Sequence, residues 1–342
     1  MTMRDSKEER TMTLPPTIGV TGAAGFIGAN LVERLLDEGC TVIGVDDMSM
    51  GTLRNLAGLL DHPNFTFHEF DCRDAARMRE TMGHCDAIAH MAALKIPRYG
   101  GALKTLAVNV DGSHVALELG RELDAHVVLA STSDVYGQAE PPFHEDDPIV
   151  LGPPQTRRWS YAASKYYDEH LALRMAEEEG LKVTILRFFN AYGIRNHPSW
   201  WGGPLSVFFE DLLDGRMMEI HGDGRQTRSF TYVSDTVDGV VRALARPETS
   251  GEVINIGNDQ PIEIIELAHK VQSAMGISGP LRAKFIELEA IGGNYQDVRH
   301  RVPDLSKARR LLGFEPQVSL EEGLQKTLAW HLALRGETVE VA

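Results

Sequence analysis

Hydrophobic and polar positions switch between two periods along the first half of the chain. Thr17-Ile18-Gly19-Val20 is a short β-branched run that predicts a strand. From 26 to 38, Ile27, Leu31, Leu35 and Leu36 recur at helical spacing, and Gly39 stops that helix. Residues 41–45, 65–67 and 87–89 read as further strands, with a helix over 75–82 between the last two. A helix over about 102–122, a strand at 126–130, a helix over about 160–179 and a strand at 183–186 continue the series. Strands alternating with helices predict an α/β fold, a doubly wound parallel (Rossmann) sheet covered on both faces. After about residue 190 the pattern loosens into the turn-rich stretch Pro198, Trp200, Trp201, Gly202, Gly203 and Pro204. Helical spacing returns at 205–214, 235–246, 261–275 and 320–334, and 253–257 reads as one more core strand. The expected division is a flexible tail at 1–13, a main domain of 14–187 plus 229–258, and a smaller discontinuous lobe of 188–228 plus 259–335.

Candidate chemistry falls at the junctions of these elements. Thr21-Gly22-Ala23-Ala24-Gly25-Phe26-Ile27-Gly28 lies between the first strand and the first helix. Glycines there permit a tight turn and close approach of a pyrophosphate to the backbone, and the helix N-terminus offers amide donors. The strand before and the helix after are the context a dinucleotide site needs. Asp46 ends the second strand, where a carboxylate accepts hydrogen bonds from ribose hydroxyls and repels a 2′-phosphate. With no Arg in 45–50, this favours NAD over NADP, and Asp71 after the third strand is a candidate adenine contact.

Tyr161-Ala162-Ala163-Ser164-Lys165 opens a helix and places a phenol and an ammonium on one face. The ammonium is expected to lower the phenol toward neutrality, so that Tyr161 acts as general base while hydride leaves to a nicotinamide. Ser131-Thr132-Ser133-Asp134 follows the strand ending at Ala130, at the carboxyl end where doubly wound folds bind ligands. Thr132 can hydrogen-bond the reacting oxygen.

Charge and cysteine usage exclude other classes. With 49 acidic and 34 basic residues the net charge is -15, which disfavours nucleic acid and anionic membrane as partners. Cys40, Cys72 and Cys85 lie far apart, so no disulfide framework is expected, and no histidine spacing suggests a metal site. No apolar run is long enough to span a membrane, and the expected compartment is the cytoplasm.

Taken in order, the Gly loop, the hydroxyl cluster and the Tyr/Lys helix resemble an extended short-chain dehydrogenase/reductase of the nucleotide-sugar epimerase, dehydratase and decarboxylase group. The likeness covers about residues 17–334 and includes His90-Met91-Ala92-Ala93, Asn109, Arg187 to Gly193, Gly222 to Phe230 and Asn255-Ile256-Gly257. The resemblance implies a catalytic set of Thr132, Tyr161 and Lys165. It implies a tightly bound, recycled NAD touching Gly22, Gly25, Phe26, Ile27, Gly28, Asp46, Asp71, Cys72, Ala92, Ala93, Asn109, Tyr161 and Lys165. A nucleotide-diphosphate sugar, with UDP as the expected nucleotide, would meet Lys95, Tyr99, Ser133, Asn190, Arg195, Gln226, Arg228, Tyr295 and Arg301. Family members commonly form homodimers through a four-helix bundle, here the helices at 102–122 and 160–179.

A closer likeness is to the decarboxylase domain of the bacterial aminoarabinose lipid A pathway and to plant UDP-apiose/UDP-xylose synthase. It rests on Gly152-Pro153, on Arg158-Trp159-Ser160-Tyr161, and on the run Tyr295-Gln296-Asp297 to Arg301-Val302-Pro303. The chain departs from that subgroup in carrying Asp134 where the decarboxylases have Glu, and Gly193-Ile194-Arg195 in place of Gly-Pro-Arg. All members would first oxidise C4 of the sugar. Three fates then diverge: C4 epimerisation, loss of carbon dioxide from a uronic acid, or loss of water across C5 and C6. Because Asp134 is one methylene short, C4 epimerisation of a UDP-hexose or UDP-hexuronic acid is the leading expectation. UDP-glucuronic acid decarboxylation comes next, then 4,6-dehydration, with a non-catalytic NAD-sensing module as the remote alternative. Arg301, Arg195 and Lys95 are the candidate partners of a C6 carboxylate, and Asp134 the candidate acid/base group.

Overall fold

A computed structural model describes residues 12–95, 101–291 and 296–336. Residues 1–11 of the expected tail, Tyr99 and Tyr295 lie outside the described residues.

The first half alternates as the pattern predicts. Strand β1 (Thr17–Thr21) leads to α1 (Phe26–Asp37), β2 (Thr41–Asp46), β3 (Phe65–Glu69), α2 (Ala75–Met82) and β4 (Ala87–His90). Then follow α3 (Ala102–Glu122), β5 (His126–Thr132), α4 (Trp159–Glu179) and β6 (Val183–Phe188). The remainder comprises β7 (Ala191–Tyr192), α5 (Pro204–Leu213), β8 (Met218–His221), β9 (Thr227–Ser229), β10 (Thr231–Tyr232) and α6 (Val233–Leu244). It ends with β11 (Val253–Ile256), β12 (Pro261–Glu263), α7 (Ile264–Ala274), β13 (Ala283–Ile286), β14 (His300–Arg301), α8 (Ser306–Leu312) and α9 (Leu320–Arg335).

Seven strands form one parallel sheet in the order β3-β2-β1-β4-β5-β6-β11. The chain starts in the middle, runs to one edge, then returns to run to the other. The reversal between β1 and β4 opens a crevice at the strand carboxyl ends, the place where such sheets hold ligands. The strands read as continuous apolar runs because both faces are covered; Ile18, Val20, Val42, Ile88, Val127 and Ile185 are all at most 0% exposed. Helix α6 packs against α1, which brings Val233–Leu244 beside the first helix although some 200 residues of chain separate them.

The expected helix over 261–275 is shorter than its pattern. Pro261–Glu263 instead pairs antiparallel with β9, and the helix begins at Ile264. Pro261 opens that strand, a position where its missing N–H costs no ladder bond. The strands β7, β8, β9, β10, β13 and β14, of two to four residues, were not anticipated; they are too short to establish a two-residue period. One of them matters for function. Strand β14 lies parallel to β9 with Arg301 opposite Arg228, so two distant arginines stand side by side.

Helix α4 is fixed to the sheet by charge. Glu169 accepts from Arg187 Nε at 2.9 Å and Nη2 at 2.7 Å, and from Ser131 Oγ at 2.5 Å. Arg187 and Glu169 are both buried, so neither can recover its hydration if the other is lost. Glu169→Gln should therefore lower the unfolding free energy by about 3 kcal/mol, read from urea denaturation; a loss below about 1 kcal/mol would show that the pair does not hold the helix.

Candidate active site

Two cavities of about 330 and 280 Å³ share Phe26, Ile27, Lys95, Ser131, Tyr161, Phe188 and Trp201, and so form two halves of one cleft.

The smaller half begins at the β1–α1 turn. Gly22 has φ +69°, and a Cβ there would lie 2.9 Å from the backbone of Ala92. A Cβ on Gly28 would lie 1.9 Å from the Gly22 carbonyl oxygen. Only bare backbone closes this turn, and it leaves a cradle whose amides stay accessible to a ligand. Gly25, Phe26 and Ile27 complete that wall. Asp46 is buried at the end of β2 and accepts from Ala24 N at 3.0 Å and Met48 N at 2.9 Å. Burial raises its pKa while these amides oppose the rise, and the residue lines the cavity. Asp71 lines the same wall, held by Arg73 at 2.6 Å, beside the buried Cys72 thiol, which burial pushes up to about 12. Ala92 and Ala93 close the opposite side, with Ala92 N donating to Thr21 Oγ1 at 3.2 Å. The cradle and the acidic residue beyond it fit a dinucleotide with a free ribose 2′-hydroxyl.

Two residues expected near the ligands stand elsewhere. Asn109 is buried beneath the cleft. Its side chain bonds Leu94 N at 2.7 Å and Ser164 Oγ at 3.0 Å, so it braces the Ala92–Lys95 loop rather than lining the cavity. Arg195 turns away from the sugar end. With φ +64°, it donates to Glu33 at 2.6 and 2.9 Å and to Asn30 at 3.1 Å, on α1 at the cofactor half. Its guanidinium lies at the cofactor half, whereas Arg158 and Arg301 line the larger half.

The larger half gathers the remaining groups. Thr132 ends β5, accepts from Asp134 N at 3.2 Å and hydrogen-bonds Tyr161. Ser133 and Asp134 follow on a short 3-10 turn. Asp134 meets Arg301 at 2.6 Å and Arg158 at 3.4 Å. Burial would raise its pKa, but Arg301 and then Arg158 outweigh that and hold it below the usual carboxylate value. Asn190, Gln226 and Arg228 line the far wall; Asn190 donates to Ser229 O at 2.9 Å, and Gln226 to His221 O at 2.8 Å. Arg228 meets Asp297 at 2.8 Å. Lys95 lies exposed where the two halves join.

Arg158, Asp297, Trp200, Trp201 and His221 also line this half, a placement not legible from the sequence pattern. Arg158 could still have been found from its motif. Trp159 Nε1 donates to Gln296 Oε1 at 3.1 Å, and a Cβ on Gly152 would lie 2.2 Å from that same nitrogen. The glycine admits the indole, the indole ties α4 to the Gln296–Arg301 segment, and Arg158 is thereby aimed at Asp134. The stack of Trp200 on His221, with ring centroids 4.4 Å apart, joins residues that no local pattern links.

Tyr161 differs from its expectation. Burial and then Asp134 raise its pKa above the ordinary phenol value, while the Thr132 hydrogen bond and Arg301 oppose this. Lys165, one turn further along α4, is buried and donates to Asp168 at 3.3 Å.

The chain matches the GDP-mannose 4,6 dehydratase family over residues 20–327. It is 34% identical over 314 residues to UDP-N-acetyl-alpha-D-glucosaminuronate decarboxylase of Bacillus cytotoxicus, covering 91% of this chain and 96% of that one. It is 34% identical over 313 residues to UDP-glucuronic acid decarboxylase 1 of Xenopus tropicalis, covering 90% and 70%. The structure of UDP-glucuronic acid 4-epimerase from Bacillus cereus, in complex with UDP-glucuronic acid and NAD, superposes with a TM-score of 0.82 at 29% identity, covering 93% of this chain and 99% of that one. The protein belongs to the NAD-dependent nucleotide-sugar epimerase/dehydratase family of extended short-chain dehydrogenases, and is an enzyme. Among the described residues, no helix is long and apolar enough to cross a membrane.

The cradle generates a direct test. The protein should bind NAD at least tenfold more tightly than NADP in calorimetric titration, and Asp46→Asn should narrow that gap. Equal affinity of the wild type for both cofactors would remove Asp46 from the cofactor site.

Proposed function

We propose that the protein is an NAD-dependent decarboxylase of a UDP-hexuronic acid, forming a UDP-pentose through a 4-keto intermediate. The observation that carries this is the cluster Arg158–Asp134–Arg301 beside Tyr161 and Thr132. Its arginines give an acidic protein a local cationic site for a C6 carboxylate. Asp134 stays ionised within that site, so a substrate carboxylate bound there lies against another anion. Loss of carbon dioxide relieves that repulsion, whereas an epimerase must keep its β-keto acid intact. Two decarboxylases among the relatives at 34% identity support the same choice. Epimerisation, the leading expectation from sequence, is favoured by the likeness to the UDP-glucuronic acid 4-epimerase structure and stands second.

In this reading Tyr161 removes the proton from the sugar C4 hydroxyl and Thr132 hydrogen-bonds that oxygen. NAD, when bound, reversibly accepts the C4 hydride and carries a positive ring charge that favours the Tyr161 phenolate. Arg301 and Arg158 hold the C6 carboxylate beside the new ketone. The C5–C6 bond then breaks, carbon dioxide leaves, and the electron pair moves onto O4, where Thr132 and protonated Tyr161 donate hydrogen bonds. A solvent proton goes to C5. Tyr161 returns its proton to O4 as the hydride returns to C4, so turnover consumes no cofactor. Lys165, which lines the cofactor half, would hold the cofactor ribose, while Asn190 and Arg228 would bind the diphosphate and nucleoside.

The protein incubated with NAD and UDP-glucuronic acid, or its 2-acetamido analogue, should release a product lighter by one carbon dioxide in mass spectrometry. Asp134→Asn should reduce that release about a hundredfold, and Tyr161→Phe should abolish it. A product of unchanged mass and altered retention would overturn decarboxylation in favour of epimerisation.

The same reading includes a homodimer through α3 and α4, which pack side by side and leave Leu103 and Tyr167 exposed. Light scattering at micromolar concentration should give twice the chain mass of 37.8 kDa; a monomer would remove the bundle.

A further inference from the structure

The buried side of α4 carries a charged group that the reaction above does not use. Asp168 follows Lys165 by three positions, and each is 1% exposed. Asp168 Oδ2 accepts from Lys165 Nζ at 3.3 Å and from Ser113 Oγ at 2.8 Å. Its Oδ1 is buried with no hydrogen-bond partner among the described residues. Beyond Ser113 the chain of polar atoms continues into the sheet. Ser113 Oγ lies 3.4 Å from His90 Nε2, and His90 Nδ1 lies 2.8 Å from Thr21 Oγ1. It ends at Ala92 N, which donates to that same Thr21 oxygen. Thr21, His90 and Ser113 are fully buried, so the middle of the chain is closed to solvent.

A half-satisfied carboxylate in the interior is costly, and a smaller neutral residue would fill the place without that cost. Its charge therefore needs an account, and the nearest charged group is Lys165, which follows the catalytic phenol by one helical turn on the same face of α4. We propose that Asp168 is a positioning residue that draws off part of the Lys165 charge and so sets the pH at which Tyr161 becomes available as base. The proposal rests on Tyr161 being the base of the reaction, but not on which fate follows oxidation.

The surroundings make Asp168 the group to change. On α4, Lys165, Glu169 and Tyr161 face it. Glu169 is matched by Arg187 of β6. On β4, His90 is held neutral by burial and by Lys165, its pKa pushed down to about 3, so it adds no charge near neutral pH. On α3, Ser113 is neutral. From the cleft, Asp134 raises the Tyr161 pKa and Arg301 lowers it, and the two are bound to each other. Asp168 adds to the rise. An anion near a phenol disfavours its ionisation, so removing the anion should let the phenolate form at lower pH.

The test is an ultraviolet phenolate titration of the NAD-loaded protein, with the Tyr161→Phe spectrum subtracted to isolate Tyr161. In Asp168→Asn, set against the Asp168→Asn/Tyr161→Phe double variant, the Tyr161 transition should fall by about one pH unit. Asp168→Glu, which keeps the charge, should return it toward the wild-type position. A merely structural role predicts a lower melting temperature with the transition unmoved, and an unmoved or raised transition overturns the proposal. Should Asp168→Asn fold poorly, Asp168→Ser is the smaller neutral variant, with the same fall expected. The readout needs no turnover, so a failed decarboxylation assay and a failed titration are separate results.

Discussion

The catalytic half of this protein depends on how α4 is docked. Glu169, buried on that helix, takes three hydrogen bonds, two from Arg187 on β6 and one from Ser131 on β5. Each partner has left water, and only this arrangement replaces what was lost, so the helix has one position relative to the two strands. Tyr161 lies two turns N-terminal to Glu169 and Lys165 one turn, both on the same rigid element. Thr132 follows Ser131 directly. One buried pair therefore sets the distance between the phenol on the helix and the hydroxyl at the strand end, and through them the place where a sugar hydroxyl can react.

The cleft wall is built the opposite way, from charges that are matched in pairs but left near solvent. Asp134 sits between Arg301 and Arg158, and Asp297 sits against Arg228. Three guanidinium groups and two carboxylates leave a surplus of positive charge on a chain whose net charge is -15. An anionic substrate is thus drawn to one place on a molecule that repels it elsewhere. Shortening Glu to Asp at 134 does not disconnect the group; the arginines on β14 and at the start of α4 reach it. In the proposed reading this contact weighs loss of the C6 carboxylate above epimerisation, although the shortened side chain alone suggested the reverse.

The alternation of strand and helix, the glycine turn with Asp46 beyond it, and the Tyr161/Lys165 spacing were legible in the sequence by itself. Each is a local consequence of backbone sterics or helical period, and each involves residues within about thirty positions of one another. The likeness of Arg158 and Arg301 to a decarboxylase subgroup was legible too, but not what the two arginines touch. Tertiary structure alone decided that Arg195 pairs with Glu33 and that Asn109 braces a loop, because those partners lie 162 and 15 positions away and only folding selects among the available carboxylates and carbonyls. It alone set Arg301 beside Arg228, through a strand pair of two residues that no periodicity can announce. It also set Asp134 beside Tyr161, whose pKa burial and then that carboxylate raise, reversing the direction expected for the phenol. A pKa depends on every charge within a few ångströms and on the water excluded, and the sequence lists the charges without fixing either.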